Sequence, residues 1–170
     1  MFRLRFPLER IPELAADYAY DDGDAVLLSE VRPAVRRRGY LTTAEFRAIC
    51  YWKTPRSQPR CRLNSAGHVR TITQAALGTG DEALKMELLR LLKGVDWPTA
   101  STILHFCDRR AFPILDYRAL WSLGHTRPPH YTMAFWLDYV RYVRELVRRS
   151  GQTMRTVDRA LWQYSKVQQR

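Results

Sequence analysis

Two short stretches combine residue types that can do chemistry. The first is Lys93-Gly94-Val95-Asp96, a tight turn between two apolar helical runs. Such a turn points backbone N–H groups outward, and the start of the next helix adds more. It can therefore grip a phosphate without reading a base. Gly94 supplies the backbone freedom and Val95 plugs the hairpin. An ordinary αα-hairpin in a bundle has the same turn. The second stretch ends at Asp116, which follows the apolar run Phe112-Pro113-Ile114-Leu115 and precedes a helical pattern. A carboxylate there is a helix N-cap, a position compatible with catalysis as well. The other chemically active residues are scattered. Cys50, Cys61 and Cys107 include no Cys-x-x-Cys pair, and His68, His105, His125 and His130 form no zinc spacing. This argues against a cysteine-held metal or iron–sulfur cluster and for buried, reduced thiols.

The surrounding composition is strongly basic. In 170 residues, 28 Lys plus Arg face 17 Asp plus Glu, a formal charge of +11. Such an excess favours a polyanionic partner, nucleic acid above all. All but four of the basic residues are Arg, the side chain that binds phosphate in bidentate fashion and stacks on bases. Hydrophobic residues at 46% suffice for a core and exclude wholesale disorder. No apolar run reaches the roughly 18–20 residues of a membrane span. The expectation is a cytoplasmic protein, nucleoid-associated through DNA, monomeric, without signal peptide or membrane partner.

The elements that must position these residues are helices. Apolar residues recur at three- and four-residue steps without alternating strands, so the chain reads as all-α. Helices are predicted near 12–20 and 24–38, the second with Pro33 as a kink or split and Gly39 as its stop. Thr42 and Glu45 have capping-box spacing for a helix to about Lys53. Asn64 is the predicted N-cap of a helix ending at Gly78, and Asp81 caps one running to Lys93. A helix from Pro98 to Cys107 follows the turn. After the extended segment 109–114, Asp116 opens a short helix to Gly124, and long amphipathic helices occupy about 132–149 and 153–168.

The run Leu92-Lys93-Gly94-Val95-Asp96-Trp97-Pro98-Thr99-Ala100, followed 16 residues later by Phe112-Pro113-Ile114-Leu115-Asp116, resembles the helix-hairpin-helix DNA glycosylase superfamily. That superfamily includes the endonuclease III and adenine-mismatch glycosylase branches. The resemblance is specific over about 91–123 and extends by helix order over about 40–124. It implies a two-lobed helical bundle, with 40–115 as a central lobe holding the hairpin 82–107, and 1–39 plus 117–170 as the second. It implies that Asp116 is the catalytic carboxylate. Cleaving an N-glycosidic bond builds positive charge on the sugar, and a carboxylate beside it stabilises that charge and orients water. The base must first leave the stack, so double-stranded DNA with a flipped base is the implied partner.

The same resemblance assigns DNA-backbone binding to Gly94, Val95, Asp96, Trp97, Thr99 and Ala100, with a monovalent cation possible at the hairpin backbone and no other cofactor or metal. By helix order, Tyr51 and Trp52 would form the base pocket, while Lys53 and Arg56 would contact phosphate. Trp52 as a core residue is the plain alternative. Arg118, two residues past Asp116, would hold a phosphate near the scissile nucleotide. Trp97 is expected to be partly exposed at the turn, over the minor groove or covering the hairpin. Arg36-Arg37-Arg38 and Arg109-Arg110 read as solvated cations. Two departures shape the expectation. Asp96 stands where many members have Gly, placing a carboxylate near the phosphate; left-handed backbone there would suit Asp. Pro98 stands where lyase members carry the Schiff-base lysine, which excludes an amine nucleophile at that position. The function implied is a monofunctional DNA glycosylase that removes a modified or mispaired base with water as nucleophile. The alternative is a non-catalytic helix-hairpin-helix DNA-binding protein.

Overall fold

The computed structural model describes residues 2–18, 23–127 and 129–169, and these contain helices and no strand. Contacts divide the chain into two units, Met1–Tyr20 with Phe112–Arg170, and Asp21–Ala111.

The middle unit holds helices α2 (Gly23–Val26), α3 (Arg32–Arg38), α4 (Thr43–Lys53), α5 (Gln58–Cys61), α6 (Ala66–Gly78), α7 (Glu82–Arg90) and α8 (Trp97–Cys107). The residues from Thr99 to Cys107 are all buried. Its core joins Phe46, Ile49, Val69, Met86, Leu89, Ile103 and Phe106. The capping box forms as expected: Thr42 Oγ1 accepts from the Glu45 N–H, and the Glu45 carboxylate accepts from the Thr42 N–H. The break expected at Pro33 is a π-helical turn, Leu27–Val31, ahead of α3. A widened turn absorbs the residue whose missing N–H a regular helix cannot use.

The sequence expectation placed everything before residue 40 with the C-terminal helices; the contacts instead group the segment after Tyr20 with the middle unit. The cause is a set of arginines on α3. Arg32 donates from Nε and Nη2 to the carbonyls of Phe106 (3.0 Å) and His105 (3.1 Å), and Arg36 Nη2 donates to that of Asp108 (2.6 Å). They satisfy the orphan carbonyls at the end of α8.

The second unit holds α1 (Ile11–Ala16), α9 (Tyr117–Ser122), α10 (Met133–Ser150) and α11 (Met154–Gln168). α11 packs against α1, α9 and α10 through Val157, Ala160 and Leu161, which are buried. The N-terminal segment is tied to α9 by Arg3 N–H to Leu123 O (2.9 Å) and Arg5 N–H to Ser122 O (3.0 Å). Phe112 stacks on Trp136 with ring centroids 5.9 Å apart and planes 9° apart.

Candidate active site

Asp116 lies in the second unit, half-buried, as the N-cap of α9; its Oδ1 accepts from the Arg118 N–H at 2.9 Å. What holds it is the preceding segment, Phe112–Leu115, which is buried throughout. An extended buried segment needs partners for its backbone groups. The Ile114 N–H donates to Asp158 Oδ1 (3.1 Å), and the Ile114 carbonyl accepts from the Tyr139 hydroxyl (2.7 Å). Asp158 is itself buried and paired with Arg155 Nη1 at 2.6 Å. Burial, with Asp158 and Asp116 nearby, pushes the Tyr139 phenol well above its usual range, so it remains a donor. Side chains of α10 and α11 thus clamp the peptide two residues before Asp116.

Around the carboxylate the surface is cationic and aromatic. The Arg118 guanidinium lies 5.1 Å from the centre of the exposed Tyr117 ring and 5.4 Å from that of Trp162. Lys166 Nζ also lies over the Trp162 ring, 5.0 Å from its centre. Arg155 and Arg159 both lie over Tyr18, at 5.2 and 5.3 Å. Arg155 is buried and paired with Asp158, whereas Arg118 and Lys166, held on ring faces nearer solvent, can still meet a phosphate.

In the middle unit, the turn after α7 is built more tightly than its sequence suggests. Gly94 has φ +83°, and a Cβ added to it would lie 2.7 Å from Cys61 Sγ and 2.9 Å from the Cys61 backbone N. Only glycine combines that left-handed conformation with that close approach. Asn64 is not the N-cap expected; Ser65 caps α6. The buried Asn64 amide instead reaches the hairpin, donating to Lys93 O (2.9 Å) and accepting from Lys93 N–H (2.9 Å). This explains why α7 stops at Arg90 rather than Lys93, since both backbone groups of Lys93 are drawn onto Asn64.

The hairpin residues fall into two groups. Val95 is buried as the plug. Trp97, expected to be partly exposed, is 8% exposed and lies under the Arg90 guanidinium at 4.2 Å, so it covers the hairpin and offers no groove contact. The Thr99 and Ala100 side chains are buried, and the Ala100 N–H bonds to Asp96 O (2.9 Å), which removes it as a phosphate donor. Val95 N–H goes to Leu92 O and Trp97 N–H to Asp96 Oδ1. Among the described residues, the turn amides left for a ligand are those of Gly94 and Asp96; that of Thr99 belongs to a residue only 3% exposed. Asp96 has φ −125°, so no left-handed residue is needed there. Its side chain is 74% exposed and 3.4 Å from Arg90 Nε.

Tyr51 and Trp52, on α4, are not brought together. Tyr51 is 60% exposed and lines a surface recess with Arg47, Pro55 and Arg62, whereas Trp52 packs edge-on against Phe106 with centroids 5.2 Å apart. Trp52 is thus a packing residue. Arg56 is exposed and Lys53 half-buried beyond the end of α4. His105 is buried on α8, and all three cysteines are buried and unpaired. No group of three or more metal-ligating side chains occurs among the described residues, and no helix there is long and apolar enough to cross a membrane.

Asn64, Tyr139 and Asp158 act through partners 25 to 44 residues away. No spacing in the sequence announces them; only buried polar side chains in otherwise apolar elements hint at long-range partners. Comparison with known protein families, with curated proteins and with solved structures returns no match to this chain.

Proposed function

We infer that this protein is a DNA N-glycosylase-like hydrolase. The observation that carries the reading is the seat of Asp116: a half-exposed carboxylate behind a buried segment whose backbone is clamped by Asp158 and Tyr139. Pre-organising a charge where an oxocarbenium ion will develop is the largest single contribution an enzyme of this type makes. Asp116 stabilises the sugar cation and orients the water that attacks it. Arg118 and its neighbours hold the flanking phosphates. Within the middle unit, Gly94 and Asp96 present amides to a backbone phosphate, Lys53 and Arg56 add charge, and Tyr51 offers an exposed ring face for stacking on nucleic acid. A monovalent cation at the hairpin backbone, which the resemblance implies, would offset the repulsion between the exposed Asp96 carboxylate and a bound phosphate. Pro98 offers no amine, so water is the nucleophile and no covalent enzyme–DNA adduct forms.

A non-catalytic DNA-binding module is the second reading, and one observation favours it: the N-cap bond to Arg118 already gives Asp116 a structural role. A panel of duplexes carrying uracil, alkylated bases, oxidised bases and mismatches separates the two. The glycosylase releases a free base and leaves a site that breaks only after alkali. DNA retention with no base released from any duplex establishes the binding module instead.

A further inference from the structure

The middle unit contains a cavity that the glycosylase reading does not use. It measures about 640 Å³, within the range of small-molecule sites. Its walls come from the ends of α3, α6 and α8 and from the loop Gly78-Thr79-Gly80. Lys85 and Asp108 line it as a buried ion pair, 2.6 Å apart and 2% and 3% exposed. Lys85 Nζ also donates to the carbonyls of Ala76 (3.0 Å) and Leu77 (3.1 Å), so its three protons are engaged and it neutralises Asp108. Arg110, also on the walls, is paired with Glu82 at 3.2 Å, so the charge left there is that of Arg36 and Arg109.

These guanidiniums are not the solvated helix ends their sequence suggests. Arg36 Nη2 donates to Asp108 O, Arg109 Nη2 donates to Arg36 O (3.2 Å), and Arg110 Nη1 pairs with Glu82 Oε1 while its backbone N–H donates to Asp108 Oδ1 (2.8 Å). Arg36 Nε is buried without a hydrogen-bond partner. The fold thus anchors Arg36 and Arg109 by their guanidiniums on carbonyls that carry no formal charge, while Arg110 beside them is paired with Glu82 and lies 3.9 Å from Asp108 Oδ1. Val35, Leu77 and Cys107 give the same cavity an apolar wall. Gly39, Gly78 and Gly80 border it, and an added Cβ at each would meet nothing within 4 Å.

We propose that this cavity binds a phosphate monoester: the phosphate dianion lies among Arg36, Arg109 and Arg110, and its organic group lies against Val35 and Leu77. A dianion matches the residual charge, and guanidinium forks match its planar faces of oxygens. The volume exceeds what a phosphate alone fills. A free mononucleotide and a 5′-phosphorylated nucleic-acid end present the same chemistry. The proposal is independent of any role for Asp116.

Calorimetric titration of the full chain at fixed ionic strength tests it. The probes are adenosine monophosphate, adenosine, and a short single-stranded oligonucleotide with a 5′-phosphate or a 5′-hydroxyl. Saturable binding of either phosphorylated probe, with at least tenfold weaker binding of its dephosphorylated counterpart, is expected. Mononucleotide binding identifies a small-molecule site, and binding of the phosphorylated oligonucleotide alone identifies a strand-end site. Arg109→Ala, at an exposed residue, should weaken the phosphorylated probe about tenfold or more. Gly78→Leu, on the last residue of α6, adds bulk at the border of the hollow while favouring the helix, and should weaken binding with the helical circular-dichroism signal retained. Equal binding of phosphorylated and dephosphorylated probes, undiminished binding by folded Gly78→Leu, or no saturable binding of any phosphorylated probe overturns the proposal. Base release from lesion duplexes is a separate readout and is expected to survive Gly78→Leu.

Discussion

Gly94→Ala is the sharpest probe of the hairpin. Two costs add. Holding a Cβ-bearing residue at φ +83° costs about 1–2 kcal/mol. The new methyl lies 2.7 Å from Cys61 Sγ and 2.9 Å from the Cys61 backbone N, and relieving such overpacking costs about 1–3 kcal/mol more. The sum is about 2–5 kcal/mol. Urea unfolding followed by circular dichroism, for Gly94→Ala, Cys61→Ala and the double variant, separates the parts. Cys61→Ala removes the sulfur contact and leaves the backbone contact and the φ cost. The double variant should therefore recover about 1 kcal/mol relative to additivity and no more. A Gly94→Ala cost under about 0.5 kcal/mol, or strict additivity, would refute the close approach of the α5 end to the turn.

Three other perturbations address the remaining supports. Asp158→Ala removes the acceptor of the buried Ile114 N–H and the carboxylate paired with Arg155 together; a loss of about 3–5 kcal/mol in the same unfolding assay is expected, and a near-neutral result would dissolve the clamp. Burial pushes the Cys50 and Cys107 thiols far above their usual range, so a disulfide reagent should label no cysteine in the native protein and three after unfolding; rapid native labelling would contradict that burial. Burial also lowers the His125 pKa below its ordinary 6.5. The neutral form is favoured in the fold, so its contribution is complete above pH 6.5 and is lost as pH falls through the lower folded value. His125→Phe, in the ring cluster with Phe2 and Phe135, should show a smaller drop in melting temperature between pH 7 and 5 than the parent chain; equal drops would show that His125 is not the group responsible.

The helical character and most caps were legible because they rest on local rules. Thr42 with Glu45, Asp81, Asp116 and Gly39 each meet their partners within a few residues. Most of what the sequence did not show depends on long separation. Asn64 resembled a cap because Asn next to a helical pattern usually is one, but its partner is 29 residues on. Trp97 resembled an exposed turn residue until Arg90 closed over it. Residues 23–38 were misassigned because only the end of α8, more than 70 positions away, says where Arg32 and Arg36 attach. Arg36, Arg109 and Arg110 looked like separate solvated charges for the same reason. Within the hairpin, local pattern identified Gly94 and Val95, whereas the fate of each amide required the three-dimensional partners.

The claim that Asp116 supplies the chemistry meets its most direct test in single-turnover base release by the parent protein and Asp116→Asn on the responsive duplex. Asn caps a helix as well as Asp, so the two proteins should melt together while the charge is gone. Loss of about 100-fold or more in the release rate is predicted, the scale seen when one group stabilising a transition-state charge is removed. Release at the parent rate from an equally stable Asp116→Asn protein would contradict the account.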